Sequence, residues 1–203
     1  MKMNLPNRLT VLRLVLVPVF IIVMMVSDAL WAEITGLVLF CAAAYTDRLD
    51  GKIARKRHLV TDFGKFLDPL ADKFMVIGAM LVILFKSMSD ADASRVFCTV
   101  FFWGLLIVFF RELAVTSMRL VVSSSSGIVI AANLLGKIKT VSQITCVIAC
   151  LLERILYGHI DALAGMKQYL PASVATTVIM AFFTLWSGIR YIKGYWKYMD
   201  PEK

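Results

Sequence analysis

Long apolar stretches are the feature that most constrains the fold of this chain. The chain has 203 residues, of which 60% are hydrophobic, more than a soluble domain of this length needs. A helix that crosses the hydrocarbon core of a bilayer requires about 20 mostly apolar residues. Stretches of suitable length cover about residues 9–27, 30–56, 62–87, 95–122, 134–152 and 172–192. We therefore predict an all-α, polytopic membrane protein with six transmembrane helices, in which residues 1–203 form one membrane-embedded domain.

The distribution of basic residues predicts how the chain lies in the membrane. Six spans put both termini on the same side, and 18 of the 22 lysines and arginines fall on that side. The other four are Lys86, Arg95, Arg154 and Lys167. Because basic loops are retained in the cytoplasm, we expect both termini to be cytoplasmic in a cell membrane. The net charge of +8 is then expected to favour anionic lipid headgroups, and no block of interleaved basic and aromatic residues suggests nucleic acid.

Acidic and small residues recur at helical spacing across the second and third predicted spans. They are Asp47, Asp50, Gly51, Ala54, Arg55, Gly64, Asp68 and Asp72. Intervals of three, four and eight residues place side chains on one side of a helix. We therefore expect two helices to present four carboxylates to a common point at the cytoplasmic end of a hydrophobic span.

Four carboxylates this close repel one another, so a cation is expected among them. Carboxylate oxygens suit Mg²⁺ or Mn²⁺, with water and phosphate completing the coordination shell. Gly51, Ala54 and Gly64 leave room for a bulky ligand, and the guanidinium of Arg55 is suited to a phosphate. These residues predict a metal-bridged phosphate site. The alternative is a solvated acidic turn, which would not need small residues in register with carboxylates on two helices.

The spacing Asp-x2-Asp-Gly-x2-Ala-Arg-x8-Gly-x3-Asp-x3-Asp resembles the signature of the CDP-alcohol phosphatidyltransferase family, and all eight fixed positions are filled. The resemblance implies a six-helix, commonly dimeric membrane enzyme in which an alcohol displaces CMP from a CDP-linked donor such as CDP-diacylglycerol. It implies that two divalent ions are held by Asp47, Asp50, Asp68 and Asp72, with Asp72 also acting as general base. The residues it implies for CDP binding are Asp47, Asp50, Gly51, Ala54, Arg55, Gly64 and Asp68.

Four cations after the third span bear on the acceptor alcohol. They are Arg111, Arg119, Lys137 and Lys139. An acceptor that carries its own phosphate would need such a group, whereas the alternative is that these side chains snorkel to lipid phosphates. Residues 4–18 and 111–143 also resemble the bacterial family members that use glycerol 3-phosphate, which implies this acceptor. Inositol phosphate, serine and phosphatidylglycerol remain alternative acceptors.

A transporter with an ion-binding acidic pair is the rival class of protein. Transporters place ionisable residues near the bilayer midplane in broken helices, whereas here they cluster at one interface, which favours the enzyme. The polar residues Asn7, Thr10 and Arg13 are expected at a helix start on the membrane surface. Residues 123–127 are predicted to form a flexible loop and residues 153–171 an external loop.

Overall fold

All regular structure in the described residues is helical. The computed structural model describes residues 4–57, 61–90, 94–126, 134–166 and 168–196. The helices are α1 (Leu5–Val26), α2 (Leu30–Arg57), α3 (Asp62–Ser89), α4 (Arg95–Ser126), α5 (Leu134–His159) and α6 (Pro171–Trp196), with a 3₁₀ helix at Asp161–Met166. The predicted all-α fold is confirmed within this part of the chain.

Five of these helices are long and apolar enough to cross a membrane, namely α1, α2, α4, α5 and α6. The chain is therefore a multi-pass membrane protein. Helix α3 is not long and apolar enough by the same criterion, because its first half carries the charged motif residues and its uninterrupted apolar stretch is residues 74–85. At 1.5 Å per residue that stretch is about 18 Å long, shorter than a hydrocarbon core of about 30 Å.

Helix α1 occupies the position between the two motif helices. It packs along both α2 and α3, while α6 packs against α4 and α5. The core is formed by buried apolar side chains that include Phe20 of α1, Phe40 of α2, Met80 of α3, Phe101 of α4 and Leu151 of α5. Polar residues on the inner face of the first turns of α1 can therefore face both halves of the motif.

Two predicted loops are in part helical. Helix α4 continues to Ser126, and α5 continues to His159. The prediction of a loop was therefore wrong over residues 123–126 and 153–159, and Gly127 lies outside the described residues. Glu153 is buried because its carboxylate accepts the backbone N–H groups of Ala172 (2.9 Å) and Ser173 (2.6 Å). These bonds satisfy amides that the first turn of α6 cannot pair within the helix.

Candidate active site

A buried polar stripe on α1 faces the motif. Asn7, Thr10 and Arg13 follow one another at intervals of three residues and are 8%, 1% and 0% exposed. These three side chains are therefore enclosed between helices. The reason is the position of α1, which turns this stripe towards both α2 and α3 instead of towards lipid or water.

Arg13 contacts three of the four motif carboxylates. Its Nη1 donates to Asp72 Oδ1 at 2.5 Å and lies 3.2 Å from Asp47 Oδ1, and its Nη2 donates to Asp50 Oδ2. The fourth carboxylate, Asp68, accepts a hydrogen bond of 2.5 Å from Thr10 Oγ1. All four motif aspartates thus converge on the same stripe of α1, at one end of the bundle.

The aspartate cluster is closed on one side and open on the other. Asp50 is 5% exposed, whereas the Asp72 side chain is 45% exposed. Within the described residues, no three acidic, histidine or cysteine side chains are grouped so as to hold a metal ion as they stand. Three carboxylates instead surround one guanidinium, which shows that hard oxygen donors point into one cationic position, the donor set that Mg²⁺ or Mn²⁺ prefers.

Gly64 allows α1 and α3 to approach closely at the cluster. A Cβ at this position would lie 3.1 Å from Asn7 Oδ1, and that oxygen accepts a hydrogen bond of 3.0 Å from Thr61 Oγ1. Thr61 also caps α3 by accepting from Gly64 N at 3.1 Å. The absence of a side chain at Gly64 therefore lets the Asn7 amide reach the start of α3. Of the other small or phosphate-directed positions, the side chains of Ala54 and Arg55 lie outside the described residues.

A second charged cluster is formed by two of the four predicted acceptor cations. Arg111 Nη1 and Lys139 Nζ both contact Glu112 Oε1, at 2.9 and 2.6 Å, and all three side chains are only 10–13% exposed. Arg111 also donates to Ser187 Oγ at 2.8 Å. These contacts point Arg111 into the bundle, which argues against snorkelling to lipid phosphates.

The other two predicted acceptor cations do not share the ion pairs with Glu112. Arg119 is exposed; its guanidinium lies 5.8 Å from the Tyr191 ring, which Arg111 approaches to the same distance. Lys137 lines an apolar groove between α5 and α6, together with Ile179 and Phe183. Since residues two apart on a helix point in nearly opposite directions, Lys137 cannot share the face of Lys139. Arg111 and Lys139 therefore form a buried pair, Arg119 shares the Tyr191 ring with Arg111, and Lys137 lies on another face of α5.

Contacts along α4 connect the two clusters. Lys73, next to Asp72, donates to Thr116 Oγ1 at 2.5 Å, and Thr116 lies one turn after Glu112 and bonds its backbone carbonyl. The buried cation pair therefore lies on the same side of the bundle as the aspartate cluster.

Arg13, Thr10 and Glu112 are the site residues that the sequence reasoning missed. A signal was available, because an ionisable side chain inside an apolar helix usually faces a polar cavity. Arg13 lies nine residues into α1, and Asn7 and Thr10 precede it at helical intervals on the same side.

The opposite end of the bundle carries a separate ion-pair network. Asp28 Oδ1 lies 2.8 Å from Lys86 Nζ and 3.1 Å from Arg154 Nη2. Glu33, which is 3% exposed, contacts Arg154 Nε at 2.6 Å and His159 Nε2 at 3.2 Å. We call these five residues the far-end network; they line a cavity of about 480 Å³. The hydrogen bond from Lys86 lowers the pKa of Asp28, which lies in the turn between α1 and α2.

Comparison with known proteins identifies the class. The sequence model of the CDP-alcohol phosphatidyltransferase family matches residues 3–188. The chain belongs to this family, as the motif predicted, and is a transferase of phospholipid biosynthesis.

The names of individual relatives specify reactions within the family. A Bacillus subtilis (strain 168) protein named CDP-diacylglycerol–glycerol-3-phosphate 3-phosphatidyltransferase is 37% identical, covering 96% of this chain and 96% of its own length. An Arabidopsis thaliana protein, CDP-diacylglycerol–glycerol-3-phosphate 3-phosphatidyltransferase 2, is 32% identical over 96% of this chain and 80% of its own. A rice protein named cardiolipin synthase (CMP-forming) is also 32% identical, over 96% of this chain and 58% of its own length.

Proposed function

We propose that this enzyme transfers the phosphatidyl group of CDP-diacylglycerol to glycerol 3-phosphate, giving phosphatidylglycerol phosphate and CMP. The similarity to the Bacillus and Arabidopsis proteins supports this reaction. The observation that carries it is the convergence of four carboxylates beside a buried Arg111–Lys139 pair. A carboxylate cluster suits a metal-bound pyrophosphate, and a neighbouring cation pair suits an acceptor that bears a phosphate.

The aspartate cluster is the proposed donor site. Asp47, Asp50, Asp68 and Asp72 would hold two divalent ions, Mg²⁺ or Mn²⁺, as members of this family generally depend on divalent metals. When bound, such ions neutralise charge on the pyrophosphate and on the departing CMP. The CDP group would contact the motif residues Asp47, Asp50, Gly51, Ala54, Arg55, Gly64 and Asp68.

Asp72 is the proposed general base. Its side chain lies on the open side of the cluster, where an acceptor hydroxyl can approach. The carboxylate takes the hydroxyl proton while the hydroxyl oxygen bonds to the phosphorus of the phosphatidyl group. The bond from that phosphorus to the bridging pyrophosphate oxygen breaks, and CMP leaves with this oxygen.

Arg111 and Lys139 are the proposed inner ligands of the acceptor phosphate. Both already contact a carboxylate oxygen of Glu112, and Arg111 Nε is buried without a hydrogen-bond partner among the described residues. A buried donor without a partner is costly, and a phosphate oxygen would satisfy it. Arg119 and Lys137 would serve as outer cations.

The proposal includes the arrangement of the chain in the membrane. Helix α3 would complete a set of six spans, with one side of its short apolar stretch packed against neighbouring helices. The excess of basic residues at the motif end favours a cytoplasmic site and cytoplasmic termini in the cell membrane. One domain, residues 1–203, would carry the activity, as a homodimer.

The acceptor is the part of this proposal that most needs an experiment, because the rice relative is named for a different CMP-forming reaction. Purified protein in detergent–lipid micelles with CDP-diacylglycerol and Mg²⁺ would be given glycerol 3-phosphate, inositol phosphate, serine or phosphatidylglycerol. We expect CMP release only with glycerol 3-phosphate, with a lipid product that retains a terminal phosphate. CMP release with only one of the other acceptors would assign the protein the sister reaction with that acceptor, and the proposal for the aspartate site would be unaffected.

A further inference from the structure

We infer that Arg13 is the resident counter-ion of the aspartate cluster and that it competes with divalent ions for the same carboxylates. This inference rests on the proposed function, since it concerns the ions that the reaction requires. It assigns to α1 a role in setting the metal affinity of a motif that lies wholly on α2 and α3.

The geometry of Arg13 places it at the centre of the cluster. Its guanidinium contacts Asp47 and Asp50 of α2 and Asp72 of α3, and its side chain is 0% exposed. The three carboxylates that contact Arg13 are also proposed metal ligands. A guanidinium and a metal ion cannot use the same lone pairs at full strength, so binding of one must weaken the other.

The charges of the cluster determine when Arg13 is needed and when a metal ion can replace it. Arginine keeps its charge in proteins, so Arg13 cannot leave the cluster by losing a proton. Without a metal, it offsets part of the repulsion among four carboxylates, and removal of a buried partner is strongly destabilising. Once divalent ions bind, the cluster no longer needs this charge, and the guanidinium becomes available to the phosphate oxygens of the donor.

Two further observations fit this change of partner. Arg13 Nε is buried and has no hydrogen-bond partner among the described residues, so the guanidinium has a donor to spare. Thr10, one turn earlier, holds Asp68, and Asn7 contacts Thr61 at the start of α3. These contacts keep α1 against α3 while the Arg13 side chain exchanges partners.

The test measures Mn²⁺ affinity directly, by electron paramagnetic resonance of free Mn²⁺ in the absence of substrate. The variants are Arg13→Gln and Arg13→Lys, with Arg154→Gln as the matched control, because Arg154 is also an arginine that contacts two carboxylates but at the far end. We expect Arg13→Gln to bind Mn²⁺ about tenfold more tightly, the lower range for one charge-assisted contact. Arg154→Gln should keep the wild-type Kd and only lower the melting temperature.

A second readout separates competition from a purely structural role. Without metal, Arg13→Gln should melt at a lower temperature than the wild type, and saturating Mn²⁺ should restore most of the difference. An unchanged Mn²⁺ Kd with equal loss of melting temperature in both conditions would overturn the inference. If Arg13→Gln cannot be purified, Arg13→Lys decides: an ammonium lacks the fork that holds three carboxylates, so its Kd must be lower than that of the wild type.

The Asp68→Asn variant distinguishes this inference from the proposed function. Asp68 contacts Thr10 and not Arg13, so its loss should weaken Mn²⁺ binding. If the wild type shows no saturable binding that depends on Asp68, the metal site of the proposed function fails and the inference fails with it. If binding depends on Asp68 but not on Arg13, only the inference fails.

Discussion

The two ends of the bundle treat buried charge in opposite ways. At the motif end, the aspartate cluster contains four carboxylates, and among the described side chains the guanidinium of Arg13 is the single cation that forms ion pairs with them. In the far-end network, two carboxylates, Asp28 and Glu33, are matched by Lys86, Arg154 and His159. The far-end network is balanced by its own residues, whereas the aspartate cluster itself holds more carboxylates than guanidinium groups, and a bound cation would offset this local excess.

This difference indicates which end carries the chemistry. A matched network fixes the ends of helices, here the turn between α1 and α2 together with α3 and α5. An excess of one charge costs stability unless a ligand completes it, which is why such clusters mark functional sites. The comparison therefore predicts that substitutions at the far end act on stability and that substitutions at the motif end act on ligand binding and turnover.

Removal of divalent metal should have the largest effect. A chelator should abolish CMP release, and Mg²⁺ or Mn²⁺ should restore it, because four carboxylates cannot bind a pyrophosphate without cations between them. Zinc alone should substitute poorly, since the proposed ligands include no histidine or cysteine. Full activity in thoroughly metal-free protein would contradict the claim that the aspartate cluster, unlike the far-end network, needs a bound cation.

Arg111→Gln should have the next largest effect and should be confined to the acceptor. Loss of one charge-assisted contact, roughly 1.5–3 kcal/mol, corresponds to a rise of about 10- to 150-fold in the KM for glycerol 3-phosphate. The KM for CDP-diacylglycerol should change little, since Arg111 contacts Glu112 and Ser187 rather than an aspartate of the cluster. Equal changes in both KM values would show that Arg111 does not act on the acceptor; Arg154→Gln serves as the arginine control.

Asp28→Asn should have the smallest effect and should appear only in stability. The side chain is 78% exposed, and exposed ion pairs contribute at most about 1 kcal/mol. The hydrogen bond from Lys86 lowers the pKa of Asp28 below its ordinary value of 3.8. The ion pair therefore stabilises the folded protein fully above pH 3.8, and this stabilisation is lost as the pH falls through the lowered pKa. The difference in melting temperature between wild type and variant should therefore be seen at pH 7 and vanish in acid, and a difference that grows in acid would contradict this.

The sequence predicted the parts of the site that depend on local spacing. Asp47 and Asp50 on one helix, and Asp68 and Asp72 on the next, follow from helical periodicity, and the structure brings all four to one stripe. Arg111 and Arg119 likewise reach the same Tyr191 ring, as an interval of eight residues requires. Family membership followed from the same motif.

The sequence could not predict the parts that depend on how helices pack. Arg13 is brought to the aspartates by the position of α1 between α2 and α3, and no local pattern states which helices will be neighbours. Glu112 was passed over for the same reason, because its partners Arg111 and Lys139 come from two helices. The extension of α5 to His159 was missed because Glu153 is buried by capping α6, a tertiary contact.

The most direct test of the account compares one carboxylate from each end, Asp72→Asn and Glu33→Gln, in the same assay of CMP release with glycerol 3-phosphate. Loss of a general base costs at least ~100-fold in turnover, so Asp72→Asn should be nearly inactive while it remains folded and binds CDP-diacylglycerol. Glu33→Gln should melt at a lower temperature but turn over at close to the wild-type rate. Near-normal turnover in Asp72→Asn, or a comparable loss of turnover in folded Glu33→Gln, would contradict the assignment of chemistry to the motif end.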